Sequence, residues 1–401
     1  MRVLLSEGSG LTSRQTARRV GELGHEVEVL SSSKLCLSRF TRHVQAVHAV
    51  PNFGAEPFRW LDVAMEIARA RRVDLLFPTQ EQVTVLSAQE KRLTVPTIAP
   101  PFSALRRVQD KISSSRTLAE ISLPQPQTFE IGSADDLERA RPFPVFVKRA
   151  ISTASSGVRR ADTPRELVVV ANDLGLGSER LVAQAQAAGP LAMVQAVADR
   201  GRLIAYHANL RVREGIGGGA AIKKSIAISG LAEILDRMAS ALEWRGGLSM
   251  DVILTDSGPM IIDINPRLVE PANALLSGVD LVGAMLDVAV SGKAQVQPPG
   301  RLGVLSHQTL LSILGVAQQT GSRRDILREA RDAFFLRGAY FGSQEELTPI
   351  AGDPIAAVPV LAALAATTVN PSLWRKFHGG AVENYALTRE GWEEIIRRAA
   401  S

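Results

Sequence analysis

Short apolar runs alternate with amphipathic stretches over the first hundred residues. The apolar run at residues 2–5 precedes a helical pattern at residues 13–23, and a second apolar run follows at residues 26–30. Strand, helix and strand in this order predict parallel strands connected by a crossover helix. A further helix and strand are predicted at residues 60–69 and 73–78. We therefore expect this part of the chain to form a Rossmann-like domain.

The pattern changes after Pro100-Pro101, which we interpret as a domain boundary. Further strands are predicted at residues 143–148, 181–184, 192–197, 203–213, 247–254 and 259–264. The last hundred residues are rich in helical patterns. The expected fold class is α/β, in four units: a Rossmann-like domain at residues 1–100, a linker with a first lobe at 101–180, a second lobe at 181–300, and a helix-rich C-terminal region at 301–401.

The composition excludes several classes of protein. Cys36 is the single cysteine, so the chain has neither an internal disulfide nor a cysteine-based zinc site. The formal charge of +5 is mild for 401 residues, and three tyrosines with four tryptophans suggest no nucleic-acid stacking surface. The N-terminal apolar run is too short for a signal peptide, and the longest apolar stretch is shorter than a membrane span. We predict a cytoplasmic protein that binds neither nucleic acid nor membrane.

The most informative polar residues lie in a predicted hairpin. A tight Asp-Ser-Gly turn joins its two strands and places Asp251 near Asp263. Because side chains alternate along a strand, Asp263, Asn265 and Arg267 share one face. Two carboxylates and a carboxamide form an oxygen-rich site, which suits Mg²⁺ completed by nucleotide phosphates. A simple ion pair between Asp263 and Arg267 is the structural alternative, and it explains less of the pattern.

A lysine at the end of another predicted strand is the second candidate. Lys148 closes an apolar run and precedes the small-residue turn at residues 151–157. Such a lysine can direct its ammonium at a phosphate while the turn places backbone N–H groups over it. The spacing is not that of a Walker motif, which needs Gly-Lys-Ser/Thr at the start of a helix.

Three polar residues follow the predicted strand at residues 73–78. Thr79, Gln80 and Glu81 would face a ligand cleft, because ligands bind beyond the carboxyl ends of parallel strands. A helix start capped by Thr79, with Glu81 in the first turn, explains the same residues. The sequence leaves both interpretations open.

The order of these features resembles the ATP-grasp superfamily, in particular its carbamoyl-phosphate synthetase-like and D-alanine–D-alanine ligase-like carboxylate-amine ligases. The resemblance covers roughly residues 1–300 and passes through Asp110-Lys111, Lys148, the small-residue turn, Gln184, Arg213, Asp251 and Asp263-x-Asn265-Pro-Arg267. The last of these segments is the most specific. The resemblance implies a Rossmann-like pre-ATP-grasp domain, a two-lobed α+β ATP-grasp domain and a helix-rich C-terminal region.

The resemblance also implies roles for individual residues. The ATP phosphates would be held by Lys111 and Lys148 and covered by a lid of Ser155, Ser156 and Gly157. The adenine would meet backbone groups of strand 181–184, including Ala183 and Gln184, and would lie on Ile262. The Mg²⁺ ligands would be Asp251, Asp263 and Asn265. The acyl-phosphate side would be faced by Arg213 and Arg267, and the loop at residues 217–219 would cover the substrate.

The implied reaction is the ATP-dependent activation of a carboxylate as an acyl phosphate. An amine or similar nucleophile then displaces phosphate, and ADP and phosphate are released. Both substrates would be small molecules, and the resemblance leaves a homodimer open. Both metal carboxylates are aspartates here, whereas the second is usually glutamate in such ligases. An ATP-grasp kinase, a carboxylase-like enzyme and a nucleotide-binding module without catalysis stay open as alternatives.

Overall fold

The computed structural model describes residues 1–153, 157–290, 292, 294–347 and 351–400. Its strands are β1 (Arg2–Leu5), β2 (Glu26–Ser31), β3 (Val44–Ala49), β4 (Leu75–Phe77), β5 (Thr128–Ile131), β6 (Val145–Arg149), β7 (Val158–Ala161), β8 (Leu181–Ala185), β9 (Leu191–Asp199), β10 (Arg202–Glu214), β11 (Ala220–Ser225), β12 (Gly246–Thr255), β13 (Gly258–Asn265), β14 (Leu305–His307) and β15 (Gln344–Glu345). Its helices are α1 (Leu11–Glu22), α2 (Pro57–Ala70), α3 (Val83–Ala88), α4 (Phe102–Leu105), α5 (Lys111–Glu120), α6 (Pro164–Asp173), α7 (Leu231–Ala241), α8 (Ala272–Ser277), α9 (Leu281–Val290), α10 (Thr309–Thr320), α11 (Arg323–Phe334), α12 (Ala357–Val369), α13 (Trp374–Glu383) and α14 (Arg389–Ala399).

The N-terminal sheet is parallel and has the strand order β3-β2-β1-β4. Val3 and Leu5 of β1 pack on one face with residues of α1 and α9. Leu4 packs on the other face with residues of α2, α3 and α14. Both faces are therefore buried, as a parallel sheet requires. The prediction of a Rossmann-like arrangement is confirmed, although β3 was not predicted.

The next sheet is antiparallel, with the order β5-β8-β6-β7. Val145, Val147 and Ala183 lie in its core beneath α6. The Thr163 hydroxyl accepts a hydrogen bond from the backbone of Glu166 at the start of α6, as a capping residue does. Because β8 belongs to this sheet, the change from the first lobe to the second falls after β8 rather than at residue 180.

The largest sheet has the order β13-β12-β9-β10-β11-β14-β15. Its neighbouring strands are antiparallel except for the parallel pair β14 and β15. Val194, Leu248 and Ile264 pack on one face with residues of α7. The β12–β13 hairpin forms one edge of this sheet, and Lys148 of β6 donates to the carbonyl of Ile262 across the gap. That edge is where the two lobes meet.

The C-terminal region is joined to both earlier parts of the molecule. Strands β14 and β15 extend the large sheet, while residues of α10, α11 and α12 share a separate apolar cluster. Trp392 and Ile395 of α14 lie in the core of the N-terminal domain. A buried ion pair between Arg14 and Asp353, with a separation of 3.2 Å, adds a second connection to that domain. None of the helices in the described ranges is long and apolar enough to cross a membrane.

Candidate functional site

The β12–β13 hairpin brings the predicted metal ligands together. Asp251 lies directly opposite Asp263 in the antiparallel ladder, and Ser249 lies opposite Asn265. Asp263, Asn265 and Arg267 line one cleft between the lobes. The side-chain alternation predicted from the sequence therefore places these three residues on the same opening.

The two carboxylates of the hairpin lie opposite each other and repel each other. Burial first, and then the charge of Asp263, raise the pKa of Asp251 to about 6. The charges of Lys148, Arg211 and Lys111 act in the opposite direction. A bound cation would relieve this repulsion, so the donor set fits a hard metal ion. Among the described residues, no group of three or more His, Cys, Asp or Glu could hold a metal, so Asn265 and ligand phosphates would have to complete the shell.

Two lysines flank these carboxylates. Lys111 is the first residue of α5, whose N-terminus is capped by Asp110. Its ammonium lies 3.6 Å from Asp263 and donates to the carbonyl of Ser152 at 3.3 Å. Lys148 is only 6 % exposed and donates to the side chain of Gln184 and the carbonyl of Ile262, both at 2.8 Å. Burial lowers the pKa of Lys148 to about 8, against the attraction of Asp263.

Strand β8 does not offer its backbone to a ligand in the way expected. Residues 181–184 pair with β5 on one side and with β6 on the other, so their N–H and C=O groups are used within the sheet. Ala183 points into the core of the lobe. The side chains that line the cleft are Val182 and Gln184, together with Ile262 from the opposite lobe. Because the backbone at 181–184 is already paired, the side chains of Gln184 and Ile262 are the better candidates for contact with a base, and this contact stays a prediction.

The predicted lid is only partly described. Ser155 and Ser156 lie outside the described residues. Gly157 accepts a hydrogen bond from the backbone of Arg149 through its carbonyl, at 3.0 Å. A Cβ at Gly157 would lie 2.6 Å from the Cβ of Ser152, so the turn needs glycine at this position. The role of the turn as a lid stays a prediction.

Arg267 is the side chain of the site with the most unused hydrogen-bonding capacity. Its guanidinium is 9 % exposed, and its ion pair with Glu81 is long, at 3.8 Å. Within the described ranges it forms no hydrogen bond. A nearly buried guanidinium whose donors form only this long ion pair among the described residues is suited to a planar anion such as a carboxylate or a phosphoryl group.

Arg213 does not share this cleft. Its guanidinium donates to Glu329 of α11 at 2.7 Å and lies over the ring of Tyr340. The expectation that it faces the same side as Arg267 is corrected, because these partners hold it against the C-terminal region. The arginine of β10 whose charge reaches Asp251 is instead Arg211, which also donates to the carbonyl of Gly218.

The loop at residues 217–219 is packed under the C-terminal helices. Its Gly217 has a positive φ of 62°, and a Cβ there would lie 2.6 Å from the ring of His378 on α13. The backbone of Gly217 also donates to Gln318 of α10. Covering of a substrate by this loop therefore stays a prediction.

Glu81 is a cleft residue that the sequence left undecided. Its carboxylate accepts from the Thr153 hydroxyl at 2.9 Å and from the backbone of Leu387 at 3.3 Å, and it lines the cleft with Arg267. Helix α3 begins two residues later, and the hydroxyl of Thr79 does not cap it but donates to the carbonyl of Glu7. The cleft interpretation of Glu81 therefore describes the structure better.

Sequence reasoning missed a buried charge cluster just beyond Arg267. Lys223 donates to Glu270 at 2.6 Å and to Glu346 at 2.8 Å, and Gln308 also donates to Glu270. Glu270 has a positive φ of 53°, which is uncommon for a residue with a side chain. The only signal in the sequence was the proximity of Glu270 to the Asp-x-Asn-Pro-Arg segment.

Comparison with known proteins identifies the central part of the chain. A family model described as the ATP-grasp domain matches residues 108–271. Residues 108–271 are an ATP-grasp domain. This domain includes the antiparallel sheet of the first lobe and the β12–β13 hairpin, and it ends just after Glu270. A search of curated proteins finds no match.

Solved structures share the fold of the ATP-grasp domain together with its flanking parts. The biotin carboxylase domain of 2-oxoglutarate carboxylase from Hydrogenobacter thermophilus has a TM-score of 0.63 at 14% identity, over 76% of this chain and 73% of that one. N5-carboxyaminoimidazole ribonucleotide synthetase from Thermus thermophilus has a TM-score of 0.58 at 19% identity, over 76% and 81%. L-amino acid ligase from Bacillus licheniformis has a TM-score of 0.59 at 17% identity, over 74% and 77%. At such identities the likeness concerns the fold alone.

Proposed function

We propose that the protein is an ATP- and Mg²⁺-dependent ligase, which activates a carboxylate as an acyl phosphate and transfers it to an amine or similar nucleophile. The observation that carries this proposal is the nearly buried guanidinium of Arg267, which has only a long ion pair with Glu81 among the described residues and lines one cleft with Asp263 and Asn265. An anion bound by Arg267 would lie beside the metal ligands. Phosphoryl transfer between two anions needs this combination of cations.

The residues of the cleft suit ATP and Mg²⁺. Lys111 and Lys148 would bind the phosphates, and Asp251, Asp263 and Asn265 would hold Mg²⁺. A bound Mg²⁺ would neutralise negative charge on the transferred phosphoryl group. The related fold of the biotin carboxylase domain is known as a complex with MgADP and bicarbonate, which supports the assignment of these cofactors.

The protein's own groups would perform positioning rather than covalent chemistry. Arg267 would hold the carboxylate by two parallel hydrogen bonds and stabilise the charge of the acyl phosphate. Lys148, fixed by Gln184 and Ile262, would keep a positive charge at a set position on the nucleotide side. Such positioning reduces the barrier because the reacting groups no longer have to be ordered during the reaction.

Two readouts test the proposal. Release of ADP and phosphate is measured with purified protein, ATP and Mg²⁺ over a panel of carboxylates, including bicarbonate and amino acids, each with and without amines. We expect ADP release that depends on both a carboxylate and a nucleophile. Release with bicarbonate alone would favour a carboxylase-like reaction, and binding of ATP with no ADP release would favour a binding module.

Labelling the carboxylate with ¹⁸O distinguishes an acyl-phosphate route from other routes. An acyl-phosphate route transfers one ¹⁸O atom from the carboxylate to the released phosphate, because the acyl–oxygen bond breaks when the nucleophile attacks. Label-free phosphate, or a stable phosphorylated hydroxyl product, would overturn the ligase proposal in favour of a kinase or a hydrolase. We also propose that the substrates are small molecules and that the protein is located in the cytoplasm.

A further inference from the structure

The segment at residues 384–387, between α13 and α14, is fastened at both ends to the N-terminal domain. At one end, Asn384 donates to the hydroxyl of Ser9 at 2.9 Å and accepts from the hydroxyl of Ser32 at 2.8 Å. At the other end, the backbone of Leu387 donates to Glu81, which pairs with Arg267. The segment is thus held beside the cleft. Between the two attachments lies one polar side chain that forms no hydrogen bond with the described residues.

That side chain is Tyr385, the residue directly after Asn384. Among the residues that the structure describes, none forms a hydrogen bond with its hydroxyl. Burial raises the pKa of Tyr385, so the hydroxyl keeps its proton and remains a donor. The charged groups near enough to influence it are Arg267, which lowers this pKa, and three glutamates, which raise it: Glu7, Glu81 and Glu270.

Each of these glutamates already has donors of its own. Glu7 accepts from the backbone of Gly10 at 2.9 Å, and Glu81 accepts from Thr153. Glu270 accepts from Lys223. Among the described residues, none of these glutamates accepts a hydrogen bond from the hydroxyl of Tyr385, which lies near enough to Arg267 for that charge to lower its pKa. A ligand that satisfies both groups must be an acceptor.

We propose that Tyr385 is a substrate-contacting residue, whose hydroxyl donates a hydrogen bond to the carboxylate that Arg267 binds. This inference rests on the ligase function proposed above. It makes the C-terminal segment a part of the substrate site, although the segment lies outside the ATP-grasp domain at residues 108–271.

Another tyrosine of the same chain shows what a structural role would look like. Tyr340 is 1 % exposed, and its hydroxyl donates to the carboxylate of Glu329 within the fold. Its polar end is thus satisfied by the protein itself. Tyr385 has no such acceptor among the described residues, so its hydroxyl can donate to a ligand instead of stabilising the fold.

The first test is the kinetic behaviour of Tyr385→Phe, with the carboxylate found active in the wild-type panel. We expect the KM for the carboxylate to rise at least about tenfold, as for a lost hydrogen bond to a charged group. The KM for ATP and the thermal stability should stay close to those of the wild type, because the ring is kept. Tyr206→Phe, on β10, is the matched control and should change neither KM. An unchanged KM for the carboxylate in Tyr385→Phe overturns the proposal.

The second test does not depend on turnover. The chain has three tyrosines, so the full-length protein labelled with 3-fluorotyrosine should give three ¹⁹F signals, each assigned by its Tyr→Phe variant. We expect the Tyr385 signal to shift when acetate is added, but not with chloride at equal ionic strength. The shift should vanish in Arg267→Met. A Tyr385 signal that ignores acetate overturns the proposal.

The two tests separate this inference from the ligase function. If no carboxylate promotes ADP release but acetate still shifts the Tyr385 signal through Arg267, the ligase function fails and Tyr385 stands as a carboxylate contact. If a carboxylate is ligated and Tyr385→Phe leaves its KM unchanged, the proposed contact of Tyr385 is wrong and the ligase function stands.

Discussion

The β12–β13 hairpin lines the cleft, whereas the C-terminal segment at residues 374–399 lies beside it and contacts one of its residues, Glu81. The hairpin brings Asp251 and Asp263 together through one tight turn and its own ladder. The C-terminal segment reaches Ser9 and Glu81, which precede their partners by 375 and 306 positions in the sequence. The first contact is local and repetitive, whereas the second exists only in the complete fold.

Because of this difference, substitutions in the two regions should affect activity and stability differently. The polar side chains of the hairpin line the cleft, while apolar side chains such as Met250 and Val252 pack in the core with residues of α7. In the C-terminal segment, residues near the cleft are followed directly by α14, whose Trp392 is part of the N-terminal core. Substitutions in the hairpin should therefore remove activity without unfolding, whereas substitutions in α14 should affect both.

The largest effect is expected for Asp263→Asn in the hairpin. Loss of one of two carboxylates removes charge where the proposed metal and phosphates meet, so turnover should fall by about a thousandfold or more. The carboxamide keeps the shape of the side chain, so the thermal unfolding temperature should change little. ADP release and thermal unfolding are measured on the same preparation.

Asp256→Asn provides the control for this substitution. Asp256 lies in the exposed turn of the same hairpin, away from the cleft, and the change of charge is identical. We expect its turnover to match that of the wild type. Near-normal ATP consumption by Asp263→Asn would remove the metal assignment.

Trp392→Ala should have the largest effect on stability. Trp392 is 4 % exposed and packs edge to face with Phe102, and large-to-small changes of this type cost about 3–5 kcal/mol. Denaturant unfolding measures the loss. Ile396→Ala on the exposed side of α14 should cost little, and equal losses in both variants would contradict the packing described for this helix.

Arg267→Met should affect catalysis with little change in ATP affinity. Removing a preorganised donor beside developing negative charge typically costs about a hundredfold to a thousandfold in turnover. Arg213→Met is the matched comparison, because Arg213 pairs with Glu329 outside the cleft. We expect it to lower stability rather than turnover. Equal losses of turnover in the two variants would instead indicate that Arg213 also acts in the cleft.

The sequence predicted what depends on alternation along a strand. The strand bounds of the hairpin and the shared face of Asp263, Asn265 and Arg267 follow from neighbours in the chain. These features repeat with a fixed period, so a short stretch of sequence determines them.

Contacts between distant elements could not be predicted in the same way. Arg213 and Arg211 differ by two positions on β10, and a register shift between them separates their surroundings. The pairing of β8 with both β5 and β6 could likewise not be predicted, because β5 was not predicted from the sequence. Tyr385 carries no local pattern, and its position depends on the path of α13 and α14 across the molecule.

The smallest of these effects concerns the two lysines. Lys111→Met and Lys148→Met should each weaken ATP binding by about 1.5–3 kcal/mol, the range for a hydrogen bond to a charged group. Lys224→Met, on an exposed position of β11, is the control and should leave ATP affinity unchanged. Unchanged affinity in both cleft variants would contradict the phosphate-binding role.

The pH dependence distinguishes the two lysines from each other. The pKa of Lys148 is lowered to about 8 by burial, so above this pH the free protein carries Lys148 without its proton. Bound phosphates favour the protonated form, so ATP binding must then take up a proton, and affinity should fall as the pH rises through 8. Calorimetry in buffers of different ionisation enthalpy measures that uptake directly. We expect proton uptake in the wild type and in Lys111→Met but not in Lys148→Met, because Lys148 is the more deeply buried of these two lysines. Equal uptake in all three proteins would show that another group titrates.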